Sequence, residues 1–200
     1  MKLFVVCVWG SPRKGGNTEF LVKEITERLD ELGVHVEAFN LCEMKIVHCK
    51  SCRLCLERRG FCTIKDDITD VIIPHLIKAD GLIVASPVYF NNVSTCVKLF
   101  IDRTWCLRGL LRNIVGGAMV VGRGYGLELA ISVIHAFMLK HEMILGFRGV
   151  TGFAFEKGEI IHDKRALELV DQLANRMVEL MHATITLRQK RKIKGSTRAP

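Results

Sequence analysis

Four of the eight cysteines in this 200-residue chain are crowded into one short stretch. Cys49-Lys-Ser-Cys52-Arg-Leu-Cys55, followed by Cys62, places successive thiols at Cys-x2-Cys-x2-Cys-x6-Cys spacing. Three thiolates spaced in this way wrap one face of a compact [4Fe–4S] cubane, and a fourth from beyond a short loop closes it. The opening is that of the ferredoxin run, although here the fourth cysteine comes later and no proline follows it. Zinc usually takes two separated Cys-x2-Cys pairs and fits less well. Unmetallated thiols are the third reading. Gly60 permits the turn that returns Cys62 to the others. The remaining four cysteines, Cys7, Cys42, Cys96 and Cys106, share no ligand spacing and read as structural.

A second chemical stretch runs from Trp9 to Thr18, Trp-Gly-Ser-Pro-Arg-Lys-Gly-Gly-Asn-Thr. It joins an apolar β-branched run to a segment of helical period, which is how a parallel sheet presents a helix N-terminus to an anion. Ser11, Asn17 and Thr18 supply short hydrogen-bonding side chains, and Arg13 and Lys14 supply countercharge. Gly10, Gly15 and Gly16 let the backbone approach closely. A Walker A loop requires Gly-x4-Gly-Lys-Ser/Thr, but Gly15 is followed by Gly16 and Asn17. The dinucleotide fingerprint Gly-x-Gly-x-x-Gly is also absent from this loop. A site for a single terminal phosphate remains.

The elements that must position these residues alternate strand and helix without a linker or repeat. The predicted strands are Lys2–Val8, Val34–Asn40, Gly81–Ser86, Ile114–Val121 and Ile144–Val150. The predicted helices begin near Phe20, Asp67, Ser94, Leu127 and Asp163, the second interrupted by Pro74. Five strands with intervening helices imply an α/β three-layer sandwich around a parallel sheet. Ligands bind such sheets at the carboxyl ends of the strands, where the loops after the first, third and fourth strands converge.

The formal charge is +8, but Arg188, Lys190, Arg191, Lys192, Lys194 and Arg198 carry most of it in a stretch without acids. Residues 1–187 therefore form the expected domain, close to neutral, and 188–200 a solvated basic tail. The tail has no aromatic residues for stacking on bases, so nucleic acid is not the expected partner. No secretory pattern and no apolar run of ~20 residues is present, so a cytoplasmic protein without a membrane segment is expected. In that compartment the cysteines stay reduced and no disulfide framework is expected.

Taken together, these stretches resemble a known family. Gly-Ser-Pro-Arg-Lys-Gly-Gly-Asn-Thr is similar to the phosphate loop of the NAD(P)H-dependent FMN reductase and flavodoxin-like superfamily. Ser86–Ser94, Ser-Pro-Val-Tyr-Phe-Asn-Asn-Val-Ser, followed by Lys98-x2-Ile101-Asp102-Arg103, resembles the segment that borders the flavin ring in those proteins. With Cys49, Cys52, Cys55 and Cys62 added, the chain resembles an iron–sulfur flavoprotein over roughly residues 1–149.

The resemblance implies a flavodoxin-like sheet of order 2-1-3-4-5, an FMN and a [4Fe–4S] cluster. It also implies a homodimer or homotetramer and a ferredoxin or nicotinamide donor. It assigns flavin contacts to Ser11, Arg13, Asn17, Thr18, Pro87, Val88, Tyr89, Phe90 and Asn91. Gly122, Arg123, Gly124 and Gly126 would approach the flavin pyrimidine edge, where Arg123 stabilises the anionic reduced ring. No side chain is required as nucleophile or general base, because the cofactors carry the chemistry of this flavin-dependent oxidoreductase. The other reading is a cluster-free NAD(P)H-dependent FMN or quinone reductase. Asp102 and Arg103 read as a local ion pair, and none of the histidines is assigned a role.

Overall fold

A computed structural model describes residues 2–189. β1 (Phe4–Trp9) lies inside the sheet, flanked in parallel by β2 (His35–Asn40) and β3 (Gly81–Tyr89). β5 (Val115–Gly122) continues the parallel sheet beyond β3, and β4 (Asn92–Val93) forms a small antiparallel flap on the end of β3. With β6 (Ile144–Leu145) at the far edge, the path β2-β1-β3-β5-β6 is the expected 2-1-3-4-5 order with the flap strand counted.

Side chains alternate across each central strand, so each strand feeds two cores. Val6, Val8, Leu82 and Val84 pack with residues of α2 (Ile73–Lys78), α3 (Thr95–Arg103) and α4 (Leu127–Lys140). Val5, Cys7, Ile83 and Ala85 pack on the opposite face with α1 (Asn17–Glu31) and α5 (Lys164–Ala183). Burial on both faces explains why these strands read as continuous apolar runs.

Two expectations are corrected. The final strand is two pieces, β6 (Ile144–Leu145) against Val115–Gly116 and β7 (Val150–Phe153) against Met119–Gly122. Between them the backbone leaves the sheet. A Cβ at Gly146 would lie 2.0 Å from Leu180 of α5, and Gly149 has φ 106°. Pro74 interrupts the second helix as expected: Ile68–Ile72 is a π-helical turn, and regular α-helix, α2, begins only at Ile73. Without an N–H, and with its ring crowding the turn before it, proline is accommodated at a helix start. Cys42 and Cys96, expected as separate thiols, are joined by a disulfide with Cα atoms 5.6 Å apart. They lie 54 residues apart in sequence, and nothing in local spacing announces the pair.

Arg188 also departs from the expectation of a solvated tail. It is buried, and its Nε donates to Asp80 Oδ1 at 3.3 Å. Asp80 in turn bonds the first residues of β1 and β5 through Phe4 and Val115. The rest of the basic tail, and its expected solvation, lies outside the described residues. Among the described residues, no helix is long and apolar enough to cross a membrane.

His141, at the end of α4, is buried against the ring of Phe137, 5.1 Å centroid to centroid. Its Nδ1 has no hydrogen-bond partner among the described residues. Burial pushes its pKa down to about 4, so the unfolded chain binds a proton that the folded protein refuses. Stability should therefore fall as pH drops from about 6.5 towards 4, by roughly 2–3 kcal/mol from this group. Urea denaturation at pH 7 and pH 4.5 checks this, and His141→Gln should remove that share of the pH dependence.

Candidate functional site

β1 ends on Gly10, whose N–H donates to Ala85 O of β3 at 3.1 Å. A Cβ there would meet Ser94 Oγ at 2.4 Å, so glycine lets the start of α3 press on this turn. The chain then loops through Ser11–Gly16. Ser11 Oγ accepts from Arg13 N (3.4 Å), and Arg13 O accepts from Gly16 N (3.1 Å). α1 begins at Asn17 after an N-cap glycine that offers no side-chain cap. Its first-turn N–H groups and positive dipole end therefore remain available to an anion. Ser11 and Thr18, both buried, flank this helix start.

This turn opens into a cavity of about 320 Å³ at the carboxyl ends of β1, β3, β5 and β7. Ser11, Arg13, Asn17 and Thr18 line it from the phosphate loop; Pro87, Val88 and Tyr89 line it from the end of β3. Gly122 and Arg123 line it from the end of β5, and Val121, Tyr125, Ala154 and Phe155 are added. An uncapped helix start at one end and apolar and aromatic walls around the rest fit a phosphate joined to a planar ring. The residues present thus suit FMN.

The remaining expected contacts do not line this cavity. Phe90 and Asn91 form the tip between β3 and β4, with φ 48° and 61°, and Phe90 is fully exposed. Gly126 lies beneath that tip, where a Cβ would meet Asn91 Cα at 2.5 Å. Gly124 makes room for the Phe153 ring, 2.5 Å from its would-be Cβ. These glycines serve backbone packing.

Asn17 lines the cavity, but its side chain is engaged elsewhere. Nδ2 donates to Glu156 O (2.8 Å), and Oδ1 accepts from Gly158 N (2.7 Å). Asn17 thereby ties down the β7–α5 loop that carries Phe155. Arg123 holds the same loop, with Nη2 3.4 Å from Phe155 O and its guanidinium over the Phe155 ring. Sequence reading missed this wall. Its only signal was an aromatic pair, Phe153 and Phe155, following a buried strand.

The cysteine segment is governed by Arg103. Its guanidinium forms a fully buried ion pair with Asp66 and donates to Val47 O at 2.6 Å. It also reaches Cys62 Sγ at 3.6 Å. Asp66 Oδ2 accepts from Val47 N at 2.9 Å, so one pair fastens both ends of the cysteine loop. Burial acts to raise the Asp66 pKa, but Arg103 and the N–H groups of Val47 and Thr69 outweigh it and hold the carboxyl below the usual range. The expected Asp102–Arg103 pair does not form; Asp102 binds Lys98 at 2.6 Å. Arg108 pins the middle of the loop through Cys55 O (3.0 Å) and Leu56 O (2.8 Å).

Cys49 and Cys52 are exposed, and Cys55 and Cys62 half-buried, all four as free thiols. Leu54 N–H, then Thr63, stabilise the Cys52 thiolate and lower its pKa. Cys106 is buried beneath them, its thiol pushed up to about 12 by burial, then by the Cys62 and Cys55 charges. Among the described residues, no three Cys, His, Asp or Glu side chains stand close enough to share a metal ion. The donor set, four free thiols on one loop with a single 3-10 turn (Leu54–Leu56), has the chemistry an iron–sulfur cluster requires.

Two outcomes follow from this geometry. Asn17→Ala removes both side-chain ties to the β7–α5 loop and should weaken FMN retention about tenfold, read by flavin fluorescence titration. Asp66→Asn strands a buried guanidinium and should cost about 3–5 kcal/mol in denaturant unfolding. The double change Asp66→Leu/Arg103→Met should cost less than the sum of its single changes.

A family model described as NADPH-dependent FMN reductase matches residues 1–156. The iron–sulfur flavoprotein MJ1083 of Methanocaldococcus jannaschii is 38% identical, covering 88% of this chain and 96% of its own length. The iron–sulfur flavoprotein of Methanosarcina thermophila is 34% identical, covering 86% of this chain and 92% of its own. Among solved structures, RosB with its bound riboflavin-phosphate intermediate superposes with TM-score 0.78 at 12% identity, covering 98% of this chain and 85% of that one. With that breadth of similarity added to a phosphate-loop cavity, the chain belongs to the NADPH-dependent FMN reductase family among its iron–sulfur flavoproteins, and is a flavin-dependent oxidoreductase.

Proposed function

We propose that this protein transfers electrons between a one-electron, ferredoxin-like donor and a second acceptor, using FMN in the cavity and a [4Fe–4S] cluster on the cysteine loop. The observation that carries the reading is the cavity itself. An uncapped helix start, buried hydroxyls and aromatic walls meet at the carboxyl edge of the sheet. FMN supplies one- and two-electron chemistry when bound, and the cluster exchanges single electrons.

The chain's own residues bind, orient and exclude water. Ser11, Thr18 and the first turn of α1 would hold the phosphate. Val88, Tyr89 and Phe155 would bracket the ring and displace solvent from it. Arg123, anchored on Phe155 O, brings positive charge to the cavity wall and would favour an anionic reduced ring. Cys49, Cys52, Cys55 and Cys62 would hold the cluster, with Arg103 donating towards the Cys62 sulfur, a contact of the kind that tunes cluster potential. A homodimer or homotetramer is part of the same reading.

The family description and the spread of the four thiols favour a second reading, a cluster-free NAD(P)H-dependent FMN or quinone reductase. Anaerobic purification separates the two. The first expects flavin bands over broad iron–sulfur absorbance and about four iron atoms per chain. Yellow protein that takes up no iron on anaerobic reconstitution, but oxidises NAD(P)H, would select the second.

A further inference from the structure

We propose that Cys42 and Cys96 form a reversible dithiol–disulfide couple whose state sets how firmly the flavin cavity is held. The proposal rests on FMN occupying that cavity. Cys42 lies in the 3-10 turn Leu41–Glu43 that follows β2, and Cys96 lies in the first turn of α3. Their Cα atoms are 5.6 Å apart, within the span that a disulfide bridges. Both residues are half-buried, so a small thiol reagent can reach the bond.

The bridge stands where three pieces of the candidate machinery meet. Gly10, which launches the phosphate loop, is pressed against the first turn of α3 at Ser94 and Val97. Ser94 N donates to Ser86 Oγ at 2.8 Å, which ties the same turn to the base of the flap. On the other side of the bridge, Glu43 faces Lys14 of the phosphate loop at 3.9 Å, and the chain then runs directly into the cysteine segment. The ring closed by the bond contains both the cysteine segment and the β3–β4 flap. Oxidation therefore fastens the turn after β2 to the helix that buttresses the phosphate loop, and reduction removes that covalent tie, leaving the nearest hydrogen bond from α3 to this stretch at Val47 O.

The couple balances as one disulfide, two electrons and two protons giving two thiols. With a dithiol as reductant, a reagent thiolate attacks one sulfur and expels the other as a thiolate, which takes up a proton. The second reagent thiolate then attacks the reagent sulfur of the mixed disulfide, expels the other protein sulfur as a thiolate that takes up the second proton, and leaves as a cyclic disulfide; oxidised glutathione, reduced to two glutathione thiols, is the oxidant for the reverse direction.

The test uses full-length FMN-loaded protein equilibrated in oxidised glutathione or in dithiothreitol. Differential alkylation and peptide mapping follow the bond, and flavin titration gives affinity. The expected results are a Cys42–Cys96 cross-linked peptide in the first buffer only, and FMN held tighter there by about fivefold or more. Cys42→Ser/Cys96→Ser should show the weaker affinity in both buffers. If that variant does not fold, the wild-type comparison decides. Unlinked Cys42 and Cys96 in oxidised glutathione, equal affinity in both buffers, or a double variant that still responds to dithiothreitol would overturn the proposal. Failure of either form to bind FMN would sink the flavin reading and the coupling with it, while mapping still judges the couple.

Discussion

A single buried ion pair, Arg103 with Asp66, organises the half of the molecule that carries the cysteines. Neither side chain is exposed, and a charge in that position is tolerable only when countered and hydrogen-bonded. Here the guanidinium also takes Val47 O, while the carboxylate takes Val47 N. The loop that carries Cys49, Cys52, Cys55 and Cys62 therefore enters and leaves the fold at one clamped point on α3. Between those ends its backbone is irregular, with left-handed φ angles at Ser51 and Arg53. This combination of fixed ends and an irregular middle suits a segment that must wrap something not made of protein.

The flavin side is built on the opposite principle. The phosphate loop has short reach and is wedged between rigid elements, with Gly10 against α3 on one flank and Asn17 against the β7–α5 loop on the other. A Cβ at Gly10 would collide with the helix turn. The cavity is thus preformed by close packing, which lowers the ordering cost when a ligand enters.

Much of this was legible from residue order alone, and the limits have physical reasons. β1, α1 and the phosphate loop were readable because a buried strand, glycines and a helix period are local signals. The cysteine spacing was readable for the same reason. Three features were not: the Arg103–Asp66 pair, the Cys42–Cys96 bond and the Asn17 ties each join positions remote in sequence, and a residue type does not announce a distant partner. Arg103 looked like the neighbour of Asp102, and Asn17 looked like a phosphate ligand. The broken last strand was also illegible, because the close approach of Leu180 of α5 to Gly146 at the break joins positions remote in sequence. The exposure of Phe90 was not legible either, because an aromatic at a hairpin tip looks the same on paper whether it is covered or open.

Arg188 carries a consequence of another kind. It is held at Asp80 beside the first residues of β1 and β5, whereas every cavity loop leaves the sheet at the carboxyl rim. The two rims are opposite poles of the same parallel sheet. Arg188 therefore braces the amino pole of the sheet, where it touches none of the loops that line the redox cavity, so that pole is fastened independently of whatever fills the other.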